Sequence, residues 1–385
     1  MGGESVPAKK VVVLGSSGSI GTSALKVARD IPGKMEIVGL AANRSIGVLE
    51  EQVAETGAKL VGVFDEGCAE ELRGRLGGSV RVVGGEEGLC ELATLEEADM
   101  VLIAIVGTAG LRPALAAIEA GKDIAVASKE ILVMAGEAVM AAARRKGVQV
   151  LPVDREHNAI FQCLEGREIG SVRRLILTAS GGPFRTLEAN KLEEVTLEQA
   201  LKHPTWEMGQ KITIDSATLF NKGLEMIEAR WLFEVEMAKV DVVVHPQSIV
   251  HSMVEFVDGS VLAQLSHSDM CFPIQYAVTW PERTENTLEP LDLAKVGRLD
   301  FEAPRAGDFP ALGLAREAGE RGGTLAAVLN AANEVAVERF VRGEIGFSGI
   351  WGTVERVMGR HEVVEHPDLA EILEADAWAR RQAVE

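Results

Sequence analysis

The chain has 385 residues, 47% of them hydrophobic and 25% charged, a balance that excludes a disordered or fibrous protein and leaves room for two or three domains. Its 58 acidic residues against 39 Lys and Arg give a formal net charge of −19, so the surface repels nucleic-acid phosphates and anionic lipid heads, and neither is expected as a partner. The polar start MGGESVPAKK leads directly into a strand and reads as no signal peptide, and no apolar run approaches the ~20 residues of a membrane helix. Cys68, Cys90, Cys163 and Cys271 are scattered without a CxxC pair, which fits a reduced, cytoplasmic protein and disfavours a thiolate metal site.

Residues 10–14 (KVVVL) are a continuous apolar run closed by Gly15, the pattern of a buried parallel strand. A helix follows through Ala28, then a strand at 35–42, a helix near 48–57 and strands at 59–64 and 99–106. A helix at 110–120, a strand at 124–127, a helix at 131–146 and a strand at 148–153 continue the alternation. Such alternation predicts an α/β architecture with an N-terminal doubly wound Rossmann-type domain over residues 1–150. Beyond Asp154, strand-like runs at 174–178, 241–244, 249–257 and 261–265 lie between longer, motif-dense segments and predict a central mixed α/β domain over 151–280. Pro281, Pro290, Pro304 and Pro310 mark 281–310 as a linker. Helical periodicity at 311–320, 324–342 and 348–359 predicts a small α-helical C-terminal domain over 311–385.

Gly15-Ser-Ser-Gly18-Ser-Ile-Gly21 falls between the first strand and the first helix, where glycines let a backbone approach a pyrophosphate at the helix N-terminus. A bare structural turn is the alternative. At the end of the second strand, where an NAD site places Asp or Glu, the chain has Asn43-Arg44-Ser45. A guanidinium beside two hydrogen-bonding side chains suits the 2′-phosphate of NADPH, and a solvated surface arginine is the other reading.

The strand at 148–153 ends at Asp154-Arg155-Glu156. On an extended segment Asp154 and Glu156 point to one side, and paired carboxylates without a thiolate favour Mg²⁺ or Mn²⁺. A surface pair that starts a helix at 157–164 explains the same residues. Ser180-Gly-Gly-Pro183 follows a strand, and 215–225 collects Ser216, Asn221, Lys222 and Glu225, with Asn221 and Glu225 on one face if that stretch is helical. Hydroxyls, an amide and an ammonium near a helix start suit a phosphate monoester, although each alone is ordinary capping. His203-Pro-Thr-Trp206-Glu-Met208-Gly209 puts large side chains in a segment without a period, which reads as a lid or as a loop anchored by its tryptophan. His245 and His251 flank an apolar strand and read as structural.

GSSGSIG, ASKE (127–130), PVDREHNAIFQ (152–162), LTASGGPFR (177–185), HPTWEMGQKITIDSATLFNKGLEMIEARWLF (203–233), HPQSIVHSMVEF (245–256) and LNAANE (329–334) together resemble the 1-deoxy-D-xylulose 5-phosphate reductoisomerase family. The resemblance is collinear from residue 10 to about 360. It implies conversion of 1-deoxy-D-xylulose 5-phosphate to 2-C-methyl-D-erythritol 4-phosphate in non-mevalonate isoprenoid biosynthesis, by retro-aldol/aldol rearrangement and then hydride reduction. NADPH, one divalent cation and a homodimer formed through the central, catalytic domain are implied with it. Ser17, Gly18, Ser19 and Ile20 then fall on the cofactor phosphates and Asn43, Arg44 and Ser45 around its adenosine end, with Ser128, Glu130 and Gly209 at further cofactor positions. Asp154, Glu156 and Glu225 match the metal carboxylates. Lys129 and His203 match substrate contacts, and Ser180, Ser216, Asn221 and Lys222 match positions that hold the substrate, mostly its phosphate. Trp206 and Met208 belong to a flap near 203–210.

The chain departs from the family pattern in places. Arg155 stands where the family has a substrate-contacting serine, so it either meets substrate or points away to a carboxylate. Ser128 replaces a common Asn, and Asn43-Arg44-Ser45 replaces a Gly-Lys-Asn version, both with donors and positive charge retained. Two rivals remain at this level: another NADP-linked oxidoreductase whose substrate Arg155 has changed, and a non-catalytic dinucleotide-binding protein. Retention of the three carboxylates and Lys129 argues against the second.

Overall fold

A computed structural model describes residues 7–204 and 208–385. The chain divides into two compact units, the first built from residues through Ile131, Val139–Asn158 and Asp269–Pro290, the second from Leu132–Ala138, Ala159–Ser268 and Leu291–Glu385.

The first unit holds seven strands: β1 (Lys9–Leu14), β2 (Met35–Ala42), β3 (Leu60–Val63), β4 (Arg81–Gly84), β5 (Met100–Ile103), β6 (Asp123–Val126) and β7 (Val150–Pro152). All pairings are parallel, in the order β4-β3-β2-β1-β5-β6-β7. Val11 to Leu14 of β1 and Val101 to Ile103 of β5 have no exposed surface, because helices cover both faces of a parallel sheet. That double burial is why these strands read as unbroken apolar runs. The doubly wound expectation is met.

Several elements differ from expectation. The strand expected at 99–106 stops at Ile103, and the helix expected from 131 begins at Lys129, behind Ser128. Between β3 and β5 lie the helix Glu66–Leu76, β4 and the helix Gly85–Ala93, none of which the sequence reading located. The helix Cys271–Thr279 was also missed; it returns to this unit, where Asn158 Nδ2 donates to the carbonyls of Pro152 (2.9 Å) and Pro273 (3.2 Å) and ties it to the end of β7.

The second unit contains a mixed sheet of β8 (Val172–Ala179), β9 (Val240–Val244), β10 (Val250–Phe256) and β11 (Val261–Leu265), in the order β11-β10-β8-β9. Strand β10 runs antiparallel to both neighbours, and β8 and β9 are parallel. Helices Gln210–Thr218 and Phe220–Leu232 pack with the C-terminal helices Ala311–Arg321, Leu325–Val341, Gly349–Arg360 and Leu369–Val384 around one apolar core. Phe347 has no exposed surface and meets Phe184 edge-on at 5.1 Å, with Trp351 at 5.4 Å. The proline-rich stretch contains the short helix Leu293–Val296 and an antiparallel bridge of Glu302 to Val244 of β9, and Arg305 Nη1 fastens part of it by donating to the carbonyls of Arg185 (3.1 Å) and Leu187 (2.5 Å). Among the described residues, no helix is long and apolar enough to cross a membrane.

Candidate active site

In the first unit the chain winds outward in opposite directions from β1 and β5, so a crevice opens beyond their C-terminal ends. A cavity of about 310 Å³ lies there, lined by Gly15, Ser17 and Gly18 after β1 and by Ala104, Ile105 and Val106 after β5. Gly15 takes φ +92°, and a Cβ there would stand 2.5 Å from the Ala104 carbonyl oxygen; a Cβ on Gly21 would stand 2.4 Å from the Gly15 oxygen. Glycine is therefore required by space at both ends of the turn. Gly18 is the exposed cap of the helix Ser19–Asp30, so Ser19 and Ile20 sit in its first turn, where unpaired N–H groups favour an anion.

Ser16, one residue before the proposed phosphate contacts, is fully buried. Its Oγ donates to Gln52 Oε1 at 2.6 Å, and Gln52 Nε2 donates back to its carbonyl at 2.9 Å. This reciprocal pair pins the glycine turn to the helix Ile46–Thr56, and the sequence reading missed it.

Asn43, Arg44 and Ser45 follow β2 directly and are exposed, and Ser45 caps the helix Ile46–Thr56. A second cavity, about 440 Å³, is lined by Asn43, Arg44, Phe64, Asp65 and Glu66. Arg44 Nε donates to Asp65 Oδ2 at 3.0 Å, which orients a guanidinium that stays largely in water. The Cys68 backbone N–H, and after it Arg44, holds the Asp65 carboxyl below its usual range. Asp65 was not anticipated either. The opening thus presents one oriented guanidinium beside the carboxylates of Asp65 and Glu66.

Still in this unit, Ser128 caps the helix Lys129–Lys146 and its Oγ donates to Glu130 Oε2 at 3.1 Å. Lys129 Nζ is 2.7 Å from Asp154 Oδ2, with both side chains largely buried. Asp154 lies just beyond β7, and its Oδ1 accepts weakly from the Glu156 N–H at 3.4 Å. The extended geometry expected for Asp154 and Glu156 is corrected here. A helix, Arg155–Leu164, begins at once, so Glu156 is in its first turn and the two-residue period does not relate the pair. Arg155 opens that helix, half-buried.

In the second unit, Ser180 follows β8 in a tight turn. His203 Nε2 lies 3.0 Å from Ser180 Oγ and 3.1 Å from Ser216 Oγ, so one imidazole nitrogen joins two hydroxyls. Gly182 donates its N–H to Ser180 Oγ at 3.3 Å, and a Cβ on it would come within 2.7 Å of the Ser216 carbonyl. The turn therefore rests directly on the helix Gln210–Thr218. Leu219, buried and at φ +65°, separates that helix from Phe220–Leu232, a conformation that costs a non-glycine residue about 1–2 kcal/mol. Asn221 and Lys222 open the second helix, one turn ahead of Glu225: Asn221 Nδ2 donates to its Oε1 at 2.5 Å and the Lys222 ammonium pairs with its Oε2. Glu225 is 1% exposed. The helix-start expectation holds for Asn221 and Lys222, but Ser216 sits in the last turn of the preceding helix. Gly209 is the exposed cap of that helix, and Met208 beside it is half-buried. Trp206, at the centre of the expected flap, lies outside the described residues.

His245 behaves as expected for a structural residue: it is buried, Nε2 accepts from the Ile249 N–H at 3.1 Å, and Nδ1 therefore carries the proton donated to the Asp300 carbonyl at 2.8 Å.

Comparison with known proteins gives one answer along the chain. Residues 11–136 match the family model for 1-deoxy-D-xylulose 5-phosphate reductoisomerase, 150–233 the model for its C-terminal domain, and 265–382 a further model of a C-terminal domain of the same enzyme. A 1-deoxy-D-xylulose 5-phosphate reductoisomerase from Symbiobacterium thermophilum is 55% identical over 98% of each chain. A solved reductoisomerase from Zymomonas mobilis, in complex with NADPH, is 44% identical over 98% of each chain with a TM-score of 0.92. Another, solved with NADPH, fosmidomycin and magnesium, is 39% identical over 98% of this chain and 97% of its own, with a TM-score of 0.91. The chain belongs to the 1-deoxy-D-xylulose 5-phosphate reductoisomerase family.

Proposed function

We propose that the chain converts 1-deoxy-D-xylulose 5-phosphate to 2-C-methyl-D-erythritol 4-phosphate, rearranging the carbon skeleton in retro-aldol/aldol fashion and then reducing the resulting aldehyde. The observation that carries this reading is the presence, in one chain of this family, of a dinucleotide-type cleft at the β1/β5 switch point and a separate hydroxyl–imidazole–amide–ammonium set around Ser216. NADPH supplies the hydride when bound. Ser17, Gly18, Ser19 and Ile20 receive its phosphates at a helix N-terminus, Asn43, Arg44 and Ser45 its adenosine end, and Ser128, Glu130 and Gly209 complete its site. Two relatives bound to NADPH support this choice of cofactor.

Asp154, Glu156 and Glu225 are the ligands we assign to one divalent cation. Their hard oxygen donors suit Mg²⁺ or Mn²⁺, and a relative solved with magnesium supports the choice. When bound, the cation supplies Lewis acidity to the substrate's carbonyl and neighbouring hydroxyl. The chain's own side chains bind and orient. Ser180, Ser216, Asn221 and Lys222 hold the phosphate, whose remote binding energy keeps both fragments in register for recombination. His203 contacts substrate beside them. Lys129 brings positive charge to developing oxyanions, and Arg155 stands at a substrate-contacting position. We assign Met208 to the flap near 203–210.

By this assignment residues 1–150 serve the cofactor, 151–280 catalysis and dimerisation, 281–310 link, and 311–385 form the helical C-terminal part. We assign a cytoplasmic homodimer. The free thiols at all four cysteines and the edge strand β11, with Val261 and Leu262 exposed, support it. The activity is tested by following NADPH absorbance with 1-deoxy-D-xylulose 5-phosphate, in Mg²⁺ or Mn²⁺ and in EDTA. Metal-dependent oxidation is expected. Intact NADPH binding without turnover would contradict the reading and make Arg155→Ser the next variant.

A further inference from the structure

The helix Gln210–Thr218 carries Ser216 on one side and a carboxylate on another. Asp215 is 1% exposed, and both its oxygens are engaged: Lys211, one turn earlier, pairs with Oδ2 at 2.5 Å, and Asn333 Nδ2 donates to Oδ1 at 2.9 Å. Asn333 comes from the helix Leu325–Val341 of the same unit and has no exposed surface. An ionised carboxylate only accepts, so the amide must turn its NH₂ toward Asp215. Its own Oδ1 finds no hydrogen-bond partner among the described residues. An apolar side chain of similar size would avoid that unsatisfied acceptor, and the neighbours Ala331, Ala332, Ala336 and Val337 are apolar. The hydrogen bond this amide makes is the one to Asp215.

Asp215 precedes Ser216, so the contact that holds Asp215 acts with the buried Ile214 and Ala217 to set the rotation of this short helix. A small turn about its axis would carry Ser216 Oγ away from His203 and the Gly182 turn resting on it. We propose that Asn333, acting through Asp215, is a positioning residue that holds Ser216 in register with His203 and Ser180 for the substrate phosphate. This rests on the phosphate role assigned above.

Asn333→Leu keeps the number and branching of side-chain heavy atoms, at the cost of bulkier methyl groups, and removes the donor. The expected result is a KM for 1-deoxy-D-xylulose 5-phosphate raised about tenfold, the scale of one hydrogen bond to a charged group, with kcat and the KM for NADPH little changed. Asp215→Leu should raise the same KM, and adding Asn333→Leu to it should change it little further, because the two act in one chain of contacts. If Asn333→Leu does not fold, Asn333→Ala, which also lacks the donor, is read in the same way. An unchanged substrate KM in a folded variant, losses spread equally over kcat and both KM values, or fully additive effects would each overturn the proposal. The native protein run alongside separates the two claims: absence of native turnover overturns the functional reading and this role with it, whereas normal native turnover with an unchanged KM in the variant overturns the role alone.

Discussion

Lys129 Nζ stands 2.7 Å from Asp154 Oδ2, and both side chains are withdrawn from water. An ammonium so placed compensates a buried carboxylate and brings positive charge to the site assigned to a cation. Removing one member of a buried pair costs about 3–5 kcal/mol. Lys129→Met is therefore expected to lower the melting temperature in EDTA and to regain part of it in Mg²⁺, where the cation replaces the lost charge. Turnover should fall about 10²-fold or more. Equal melting temperatures in EDTA for variant and native protein would show that the pair carries no such role.

The strands flanking this site were readable because β1, β5 and β6 are buried on both faces and appear as apolar runs. The helix Glu66–Leu76 was not. It buries only Ala69 and Leu72, so no apolar period marks it. Cys271–Thr279 fails for the opposite reason: seven of its nine residues are buried, so no polar face breaks the run. Around the cleft, the motif residues lie in contiguous stretches and could be found. Their supports could not: Gln52 meets Ser16 across 36 positions, Asp65 meets Arg44 across 21, and Asn333 meets Asp215 across 118. No local pattern encodes such contacts. The placement of Glu156 was misjudged because the helix starts immediately after Asp154, which replaces a period of two by one of 3.6.

Gly21→Ala tests the cofactor turn. Its Cβ would meet backbone atoms of Gly15 and Ser16 at 2.4 Å, so the turn must move rather than a flexible side chain. Overpacking of this kind costs about 1–3 kcal/mol. To the extent that the displaced turn no longer fits the pyrophosphate, NADPH affinity, measured by quenching of protein fluorescence, should fall about tenfold or more while metal binding persists. Unchanged NADPH affinity would remove the turn from the cofactor site.

Glu225→Gln keeps the shape of a side chain held by Asn221 and Lys222 but removes its charge. Weaker Mn²⁺ binding is expected, read as free Mn²⁺ by electron paramagnetic resonance, with NADPH affinity retained. Metal affinity equal to that of the native protein would exclude Glu225 as a ligand.

Cys271 gives a pH prediction. Burial first, then its hydrogen bond and charge interaction with Asp269, raises its thiol from the usual 9.0 to about 12. A raised folded value means the native state retains the proton that the unfolded chain loses. Stability from this group is full below pH 9.0 and is lost as pH rises toward about 12. Cys271→Ala should flatten the fall in melting temperature across that window, and the native thiol should resist alkylating reagents near neutral pH. Rapid alkylation at neutral pH in the folded protein would contradict the assignment.

The most direct test of the central claim is the identity of the product formed from 1-deoxy-D-xylulose 5-phosphate with NADPH and Mg²⁺, determined by nuclear magnetic resonance. The account predicts the branched skeleton of 2-C-methyl-D-erythritol 4-phosphate, which requires a carbon–carbon bond to break and re-form before reduction. A linear deoxypentitol phosphate, the product of simple carbonyl reduction, would contradict it.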